Sequence, residues 1–313
     1  MSQSLAPPMT RDAILLIGGA GFLGSALRRM IAARGLRAIV VGRSPGVTVG
    51  PGERYLVTAA PGQLAANLAD DLVSTVIDLS HATIPNAGLD GSADMLARNL
   101  AAQSANIALA RALGAARFVF TSSGGAVYGE GGDGPLTEDT AAHPRSPYGA
   151  TKLALERQLL AARDLDAVIV RPSNIYGPGQ RPFRGQGLVA TAMANALRGQ
   201  PQPVFGDGSA VRDYLFVDDF CDALLGVAAH GVSGSIYNIG AGEGTSTAAL
   251  LDRIAAITAR DGYPLAIEWQ DARFTDVARN ILDSNRLHAL TGWRPNTLLD
   301  EGLLASWAWA RTQ

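Results

Sequence analysis

Tyr148 and Lys152 stand four residues apart in the run Ser146-Pro147-Tyr148-Gly149-Ala150-Thr151-Lys152. On a helix that spacing places both side chains on one face, and Pro147 suits a first helical turn. An ammonium near a phenol favours the phenolate and draws its pKa down from about 10. Such a phenol can take a hydroxyl proton and give it back. The competing reading is a surface tyrosine beside a solvated lysine. Composition weighs against that: of 26 basic residues 25 are arginine, and Lys152 is the single lysine. Guanidinium replaces ammonium in most surface roles, but not as a compact cation of tunable pKa.

A second chemical signal is Ile17-Gly18-Gly19-Ala20-Gly21-Phe22-Leu23-Gly24. It follows the first apolar run and opens a helical pattern. One glycine permits a tight turn, the next lets backbone approach a pyrophosphate, and the third allows close packing of the helix. The helix N-terminus then presents free N–H groups to the anion. Glycine clusters are common in turns, but at the first strand–helix junction this one points to a bound dinucleotide. The second strand ends Val40-Val41-Gly42-Arg43-Ser44, with no carboxylate for the adenosine ribose. Arg43 and Ser44 could instead hold a 2′-phosphate, so both NAD and NADP stay open.

These residues need a scaffold, and the chain's rhythm supplies one. Apolar runs at Ala13–Ile17, Ala38–Val41, Arg54–Val57, Val73–Leu79, Arg117–Thr121 and Ala167–Arg171 read as strands. Helical patterns lie between them, notably Phe22–Ala33, Asp90–Leu113 and Tyr148–Ala162. Short apolar strands alternating with helices imply a parallel sheet covered on both faces, and right-handed crossovers make it doubly wound. After Arg171 the rhythm loosens into loops rich in Gly, Pro, Gln and Arg. Helical patterns resume at Val217–Val227, Ser246–Ala259, Ser284–Leu290 and Leu298–Ala310. The reading is an α/β fold with a smaller, discontinuous second lobe.

The 313 residues, 47% hydrophobic and 17% charged, describe a globular chain with room for one large or two modest domains. A net charge of −2 leaves no basic footprint for nucleic acid. No apolar run reaches membrane-spanning length, and the first ten residues show no signal pattern. Cys221 is the only cysteine; within an apolar stretch it reads as a buried structural thiol. Without a possible internal disulfide, a reducing, cytoplasmic setting is expected. Four histidines, among them His81 and His143, lie near no carboxylate cluster at ligand spacing, so no metal site is expected.

The glycine turn and the Tyr148/Lys152 pair resemble the extended short-chain dehydrogenase/reductase family, in particular its nucleotide-sugar epimerases and dehydratases. Phe118-Val119-Phe120-Thr121-Ser122-Ser123-Gly124-Gly125-Ala126-Val127-Tyr128-Gly129 is similar to that family's strand carrying a catalytic hydroxyl. The resemblance assigns Ser123 the substrate-orienting role. One residue more than usual precedes Val127-Tyr128-Gly129, which leaves Ser122 as a fallback. It implies a Rossmann domain at 11–172 plus roughly 213–242, and a nucleotide-sugar lobe at 173–212 and 243–313. Cofactor contacts would come from Gly18, Gly21, Phe22, Leu23, Gly42, Arg43, Ser44, Leu79, His81, Asn99, Tyr148, Lys152 and Pro172. Arg171-Pro172-Ser173-Asn174-Ile175-Tyr176-Gly177-Pro178 resembles the segment leaving the sixth strand, with Asn174 toward the sugar-nucleotide phosphates. Phe205, Arg212 and the late pair Arg273/Asp276 would line the nucleotide pocket, and Leu188 the substrate side.

Three segments depart from the family pattern. The acidic residue after the second strand is missing, Leu56-Val57-Thr58-Ala59 supplies none after the third, and the fourth strand ends Ile77-Asp78-Leu79-Ser80-His81 where an apolar-His-apolar-small run is usual. All three touch the adenosine side, not the proton-transfer residues. The resemblance implies 4-epimerisation of a nucleotide-diphosphate hexose such as a UDP-sugar. A 4-keto-sugar reductase using NADPH, or a non-catalytic cofactor-binding regulator, are the alternatives. Dehydratases carry an Asp-Glu pair where Gly124-Gly125 stands here. A homodimer through Asp90–Leu113 and Tyr148–Ala162 is implied by the same resemblance.

Overall fold

The computed structural model describes residues 12–42, 47–57, 61–80, 92–130, 132, 134–184, 187–271 and 277–313. The first half alternates strand and helix: β1 Asp12–Ile17, α1 Phe22–Ala33, β2 Arg37–Gly42, β3 Glu53–Val57, α2 Pro61–Asn67, β4 Leu72–Asp78, α3 Ser92–Ala112, β5 Arg117–Thr121, α4 Gly124–Val127, α5 Pro147–Ala161 and β6 Ala167–Pro172. Shorter pieces follow: β7 Asn174–Tyr176, α6 Leu188–Arg198, β8 Gln202–Phe205, β9 Val211–Phe216, α7 Val217–His230, β10 Ile236–Ile239, β11 Gly244–Ser246, α8 Thr247–Arg260, β12 Ile267–Gln270, β13 Arg279–Asn280, α9 Asn285–Thr291 and α10 Leu299–Ala310.

Seven strands form one sheet in the order β10-β6-β5-β4-β1-β2-β3, every pairing parallel. Alternation along each strand divides the core in two. Leu16, Val40, Ile77, Val119 and Val168 face one side, where α1 and α7 add Leu27, Ile31, Phe220 and Cys221. Leu15, Ile17, Ile39, Val41, Phe118 and Phe120 face the other, against Ile107 and Ala110 of α3 and Leu155 and Leu159 of α5. Strands buried on both faces must be apolar at nearly every position, which is why they read as runs. The order reverses between β1 and β4, and crevices for ligands open at the carboxyl ends of such a switch point.

The smaller lobe has a sheet of β11, β9 and β13, with β7 also on β9, and a two-stranded pair of β12 and β8. Val189, Met193, Leu250, Ile254, Leu303 and Trp307 pack beneath it from α6, α8 and α10. Of the stretch from Arg212 to Gly242 expected to return to the large sheet, β10 does so beside β6. β9, which reaches Phe216, pairs instead with β7 and β11. Helices α2 and α6 fall outside the stretches read from the sequence as helical, although α6 buries a regular face of Val189, Ala192, Met193 and Ala196.

Cys221 is fully buried, and burial pushes its thiol up to about 12, as a structural thiol requires. No helix among the described residues is long and apolar enough to cross a membrane. No group of His, Cys, Asp and Glu among them could hold a metal ion.

Candidate active site

Everything expected of Tyr148 begins with how α5 starts. Ser146 caps it in extended backbone, its hydroxyl accepting from the Gly149 N–H at 3.1 Å, with Pro147 in the first turn. Lys152 then points inward, 3% exposed, and its Nζ donates to the Thr121 carbonyl at 2.8 Å. The same nitrogen lies 4.9 Å from the Phe120 ring centre and 6.0 Å from that of Tyr148.

Ser123 follows β5 as the extended residue before α4 (φ −157°, ψ 107°). A side-chain hydrogen bond joins it to the Tyr148 phenol. Ser122, the fallback for that role, is buried and donates to Glu156 Oε1 at 2.5 Å. Ahead of Val127-Tyr128-Gly129 the chain turns through α4, Gly124–Val127. There a Cβ on Gly124 would lie 2.6 Å from Leu282 Cδ1.

The electrostatics differ from the simple expectation. Burial pushes the Tyr148 phenol up to about 12, and the Ser123 hydrogen bond only partly offsets this. Burial also drives Lys152 down to about 8, opposed by the carboxylates of Asp78 and Glu156. The ammonium therefore does not bring the phenol toward neutrality in the chain by itself. Desolvation outweighs the attractions because Lys152 is buried and Tyr148 half-buried where α5 packs on the sheet.

The glycine turn is shaped for a dinucleotide. Gly18 takes φ +79°, and a Cβ there would press within 3.0 Å of the Ser80 nitrogen, so only glycine closes this turn. A Cβ on Gly24 would collide with Gly19 Cα, so α1 packs directly on the turn. Gly21 precedes α1 with no side-chain cap and no acid in the first turn, leaving helix-end N–H groups for an anion. Phe22 and Leu23 pack against the core behind. Gly42 ends β2 with the Tyr55 hydroxyl where its Cβ would be. Leu79 leaves β4, its N–H on the Ile17 carbonyl at 2.9 Å. Pro172 closes β6. Asn99 is buried on α3 and donates to its own helix at the Met95 carbonyl, 2.7 Å away. The residues present thus fit a dinucleotide along the carboxyl ends of β1 and β4.

Across from this edge, β7 and β9 lie side by side. Asn174 donates to the Asp213 carbonyl at 3.1 Å, and its amide lies 3.8 Å from where a Cβ on Gly125 would stand. Arg212, two residues before the Asn174 partner Tyr214, is half-buried on the same sheet. Leu188 opens α6 and packs against the core of the small lobe, and Phe205 ends β8. Arg43, Ser44, His81, Arg273 and Asp276 lie outside the described residues.

Four residues around the site have no role in the sequence reading. Glu156 and Arg171 form a buried ion pair, Nη2 to Oε2 at 2.6 Å and Nε to Oε1 at 3.0 Å. Asp78 accepts from Ser80 N, Ser80 Oγ and Asn106 Nδ2 at 2.8, 2.6 and 2.8 Å. Asp213, wholly buried, accepts from the N–H groups of Ala241, Gly242 and Leu282 at 2.9, 3.1 and 3.2 Å. Glu156 shares the helix face of Lys152, a usable signal. The partners of Asp78 and Asp213 come from distant segments, and no local pattern marks them.

The NAD dependent epimerase/dehydratase family model matches residues 14–240. The chain is 40% identical to UDP-glucose 4-epimerase of Mycolicibacterium smegmatis over 197 residues, which is 62% of this chain and 62% of that protein. The match therefore spans less than two thirds of that relative. UDP-glucose 4-epimerase of Thermotoga maritima, solved with UDP-glucose, is similar with a TM-score of 0.84 and 30% identity, covering 96% of this chain and 99% of that one. UDP-glucose 4-epimerase of Thermus thermophilus, solved in complex with NAD, has a TM-score of 0.87 at 28% identity, with the same 96% and 99% coverage. A family match running from β1 to the strand that closes the large sheet leaves one placement: the chain belongs to the NAD dependent epimerase/dehydratase family of extended short-chain dehydrogenase/reductase enzymes.

Proposed function

We propose that the chain is a nucleotide-sugar 4-epimerase acting on a UDP-hexose through a transient 4-keto sugar. The observation that carries this reading is the Ser123 hydrogen bond to Tyr148, with Lys152 buried beside it and its Nζ 6.0 Å from the Tyr148 ring centre. NAD, favoured over NADP by the family match, would supply a hydride acceptor and donor for C4 and, when oxidised, a second positive charge. The chain's own part is the proton. Tyr148 oxygen, as the phenolate that Lys152 and the charge of the bound cofactor would together favour, takes it from the 4-hydroxyl as C4 is oxidised and returns it as C4 is reduced, while Ser123 holds the sugar oxygen. Lys152 orders the phenol from below. Gly18, Gly21, Phe22, Leu23, Gly42, Leu79 and Pro172 border the cofactor. Asn174 and Arg212 face the diphosphate, a task suited to an arginine fork.

In this reading residues 11–172 with roughly 213–242 hold the cofactor, and 173–212 with 243–313 hold the nucleotide sugar. The enzyme works in the cytoplasm as a homodimer through the 90–113 and 148–162 helices; monomeric sedimentation at micromolar concentration would refute the dimer. The catalytic test is incubation with UDP-, GDP- and dTDP-hexoses, with and without added NAD(P)(H). Interconversion of a UDP-hexose pair without net cofactor consumption is expected. Stoichiometric NADPH oxidation on a 4-keto sugar would replace the proposal with a reductase, and inertness toward every sugar with a non-catalytic role.

A further inference from the structure

We propose that Asp78 is a positioning residue for the acid/base pair inferred above, its buried carboxylate being the counter-charge that holds Lys152 as an ammonium beside Tyr148. The role rests on that reading of Tyr148 and Lys152, but the charge pairing itself can be measured without it.

The geometry begins with the sheet register. Asp78 ends β4 directly opposite Ile17 of β1 on one side and Phe120 of β5 on the other. Partners in parallel register share a face, here the one covered by α3 and α5, where Ile17 and Phe120 join the core. Asn106 of α3 reaches down to Asp78 Oδ2 at 2.8 Å, so the carboxylate faces those helices. Lys152 of α5 enters the same layer, its Nζ 4.9 Å from the Phe120 ring and bonded to the next carbonyl along β5, that of Thr121. Carboxylate and ammonium thus flank one strand end, both almost fully out of water.

Charge balance decides which anion serves Lys152. Two carboxylates act on it, Asp78 foremost and Glu156 after it. Glu156 is already claimed by both arms of Arg171 from β6, and by the Ser122 hydroxyl. Asp78 has only neutral donors, namely the Ser80 N–H, the Ser80 hydroxyl and the Asn106 amide. From α3 the other buried polar residues facing inward are Asn99 and Gln103, both uncharged. Tyr148 is the other titratable group beside Lys152 among the described residues, its phenol pushed up by burial. Among the described residues, Lys152 is the cation that acts on Asp78. A buried charge without a partner neutralises. Asp78 therefore leans on Lys152 as its counter-charge, and burial opposes the ionised form of both, raising Asp78 and lowering Lys152.

Asp78 also ties this pair to the cofactor side. Its Oδ1 fixes the Ser80 N–H, the atom that would meet a Cβ on Gly18 at 3.0 Å. One side chain thus sets both the lysine's charge and the wall of the glycine turn.

The single lysine makes the test direct. Protein made with lysine carrying carbon-13 at Cε gives one lysine side-chain resonance, whose titration reports Lys152 alone, with no sugar required. Asp78→Asn keeps the shape and can keep its bonds if the Asn106 amide turns over. We expect its Lys152 midpoint to fall by about one pH unit or more, with Asp78→Glu restoring most of that fall. An Asp78→Asn midpoint equal to that of the unmodified chain overturns the proposal. If Asp78→Asn does not fold, Asp78→Ser removes the charge and leaves a small hydroxyl in its place. The same fall is then expected, and an unchanged midpoint overturns it. A shifted midpoint in a chain that turns over no nucleotide sugar would sink the epimerase reading and leave the charge pairing standing.

Discussion

The two sides of the crevice are built by different means. On the large-sheet side the ligand-facing edge is made of backbone: a glycine turn, strand ends in regular register, and the uncapped start of α1. On the small-lobe side the backbone behind that edge is held by single side chains, with wholly buried Asp213 gathering three N–H groups from two separate loops. Backbone sites inherit their precision from secondary structure and survive many substitutions at neighbouring positions. Side-chain sites concentrate the same task in one residue. A cofactor common to a whole family suits the first kind, and a substrate that varies suits the second.

The largest test of this contrast falls on the chemistry itself. Tyr148→Phe should lower kcat about 10²–10⁴-fold with little change in folding, since only a proton carrier is lost; retention of more than a tenth of the activity would remove Tyr148 from its role. Next in size is Glu156→Gln, which leaves Arg171 buried without its anion. It should destabilise the large domain by about 3–5 kcal/mol in urea unfolding, and a loss under 1 kcal/mol would show that water reaches the pair.

Asp213→Asn probes the small-lobe side. An amide can satisfy fewer of the three N–H groups, so a loss of about 1–3 kcal/mol near pH 7 is expected. The pH dependence has a defined sign. Burial raises Asp213 to about 6 in the folded chain, above the unfolded value of about 3.9. Its protonated form therefore favours folding, and that contribution is lost as pH rises from about 4 through about 6. Unfolding free energies across that window should slope downward in the unmodified chain and less so in Asp213→Asn. Equal slopes would show that the group does not titrate there.

The smallest effect on folding is predicted at Gly21. A Cβ there meets nothing closer than 3.5 Å, and its φ is negative, so Gly21→Ala should change stability by less than about 0.5 kcal/mol. The methyl group would still crowd the anion path, and a roughly tenfold loss of NAD affinity is expected. Unchanged affinity by calorimetry would move the pyrophosphate away from this turn.

The same contrast explains what the sequence disclosed. β1, β2, β4, β5 and β6 were legible because both faces are buried, and the predicted ends fall within a residue of the observed ones. Helix α5 was legible from Ser146 and Pro147. The pieces β7, β11 and β13 are two or three residues long, too short for any period to show. Ser123 and Lys152 could be read from local motifs. Asp78 could be noticed as a departure, but its bond to Asn106 joins β4 to α3 across 28 residues. The phenol's high pKa was not legible at all, because it depends on how far the packing of α5 on the sheet buries Tyr148.

The position of β10 bears on how this chain is made. Residues 236–239 complete the large sheet at β6 only after the polypeptide has passed through β7, β8 and β9 of the other lobe. On a ribosome β6 therefore waits with one backbone edge unpaired until everything from Asn174 to Ile239 has been synthesised. An open apolar margin of that kind invites pairing with a neighbouring nascent chain. Slowing translation between Asn174 and Ile236 should lengthen that exposure and reduce the soluble yield.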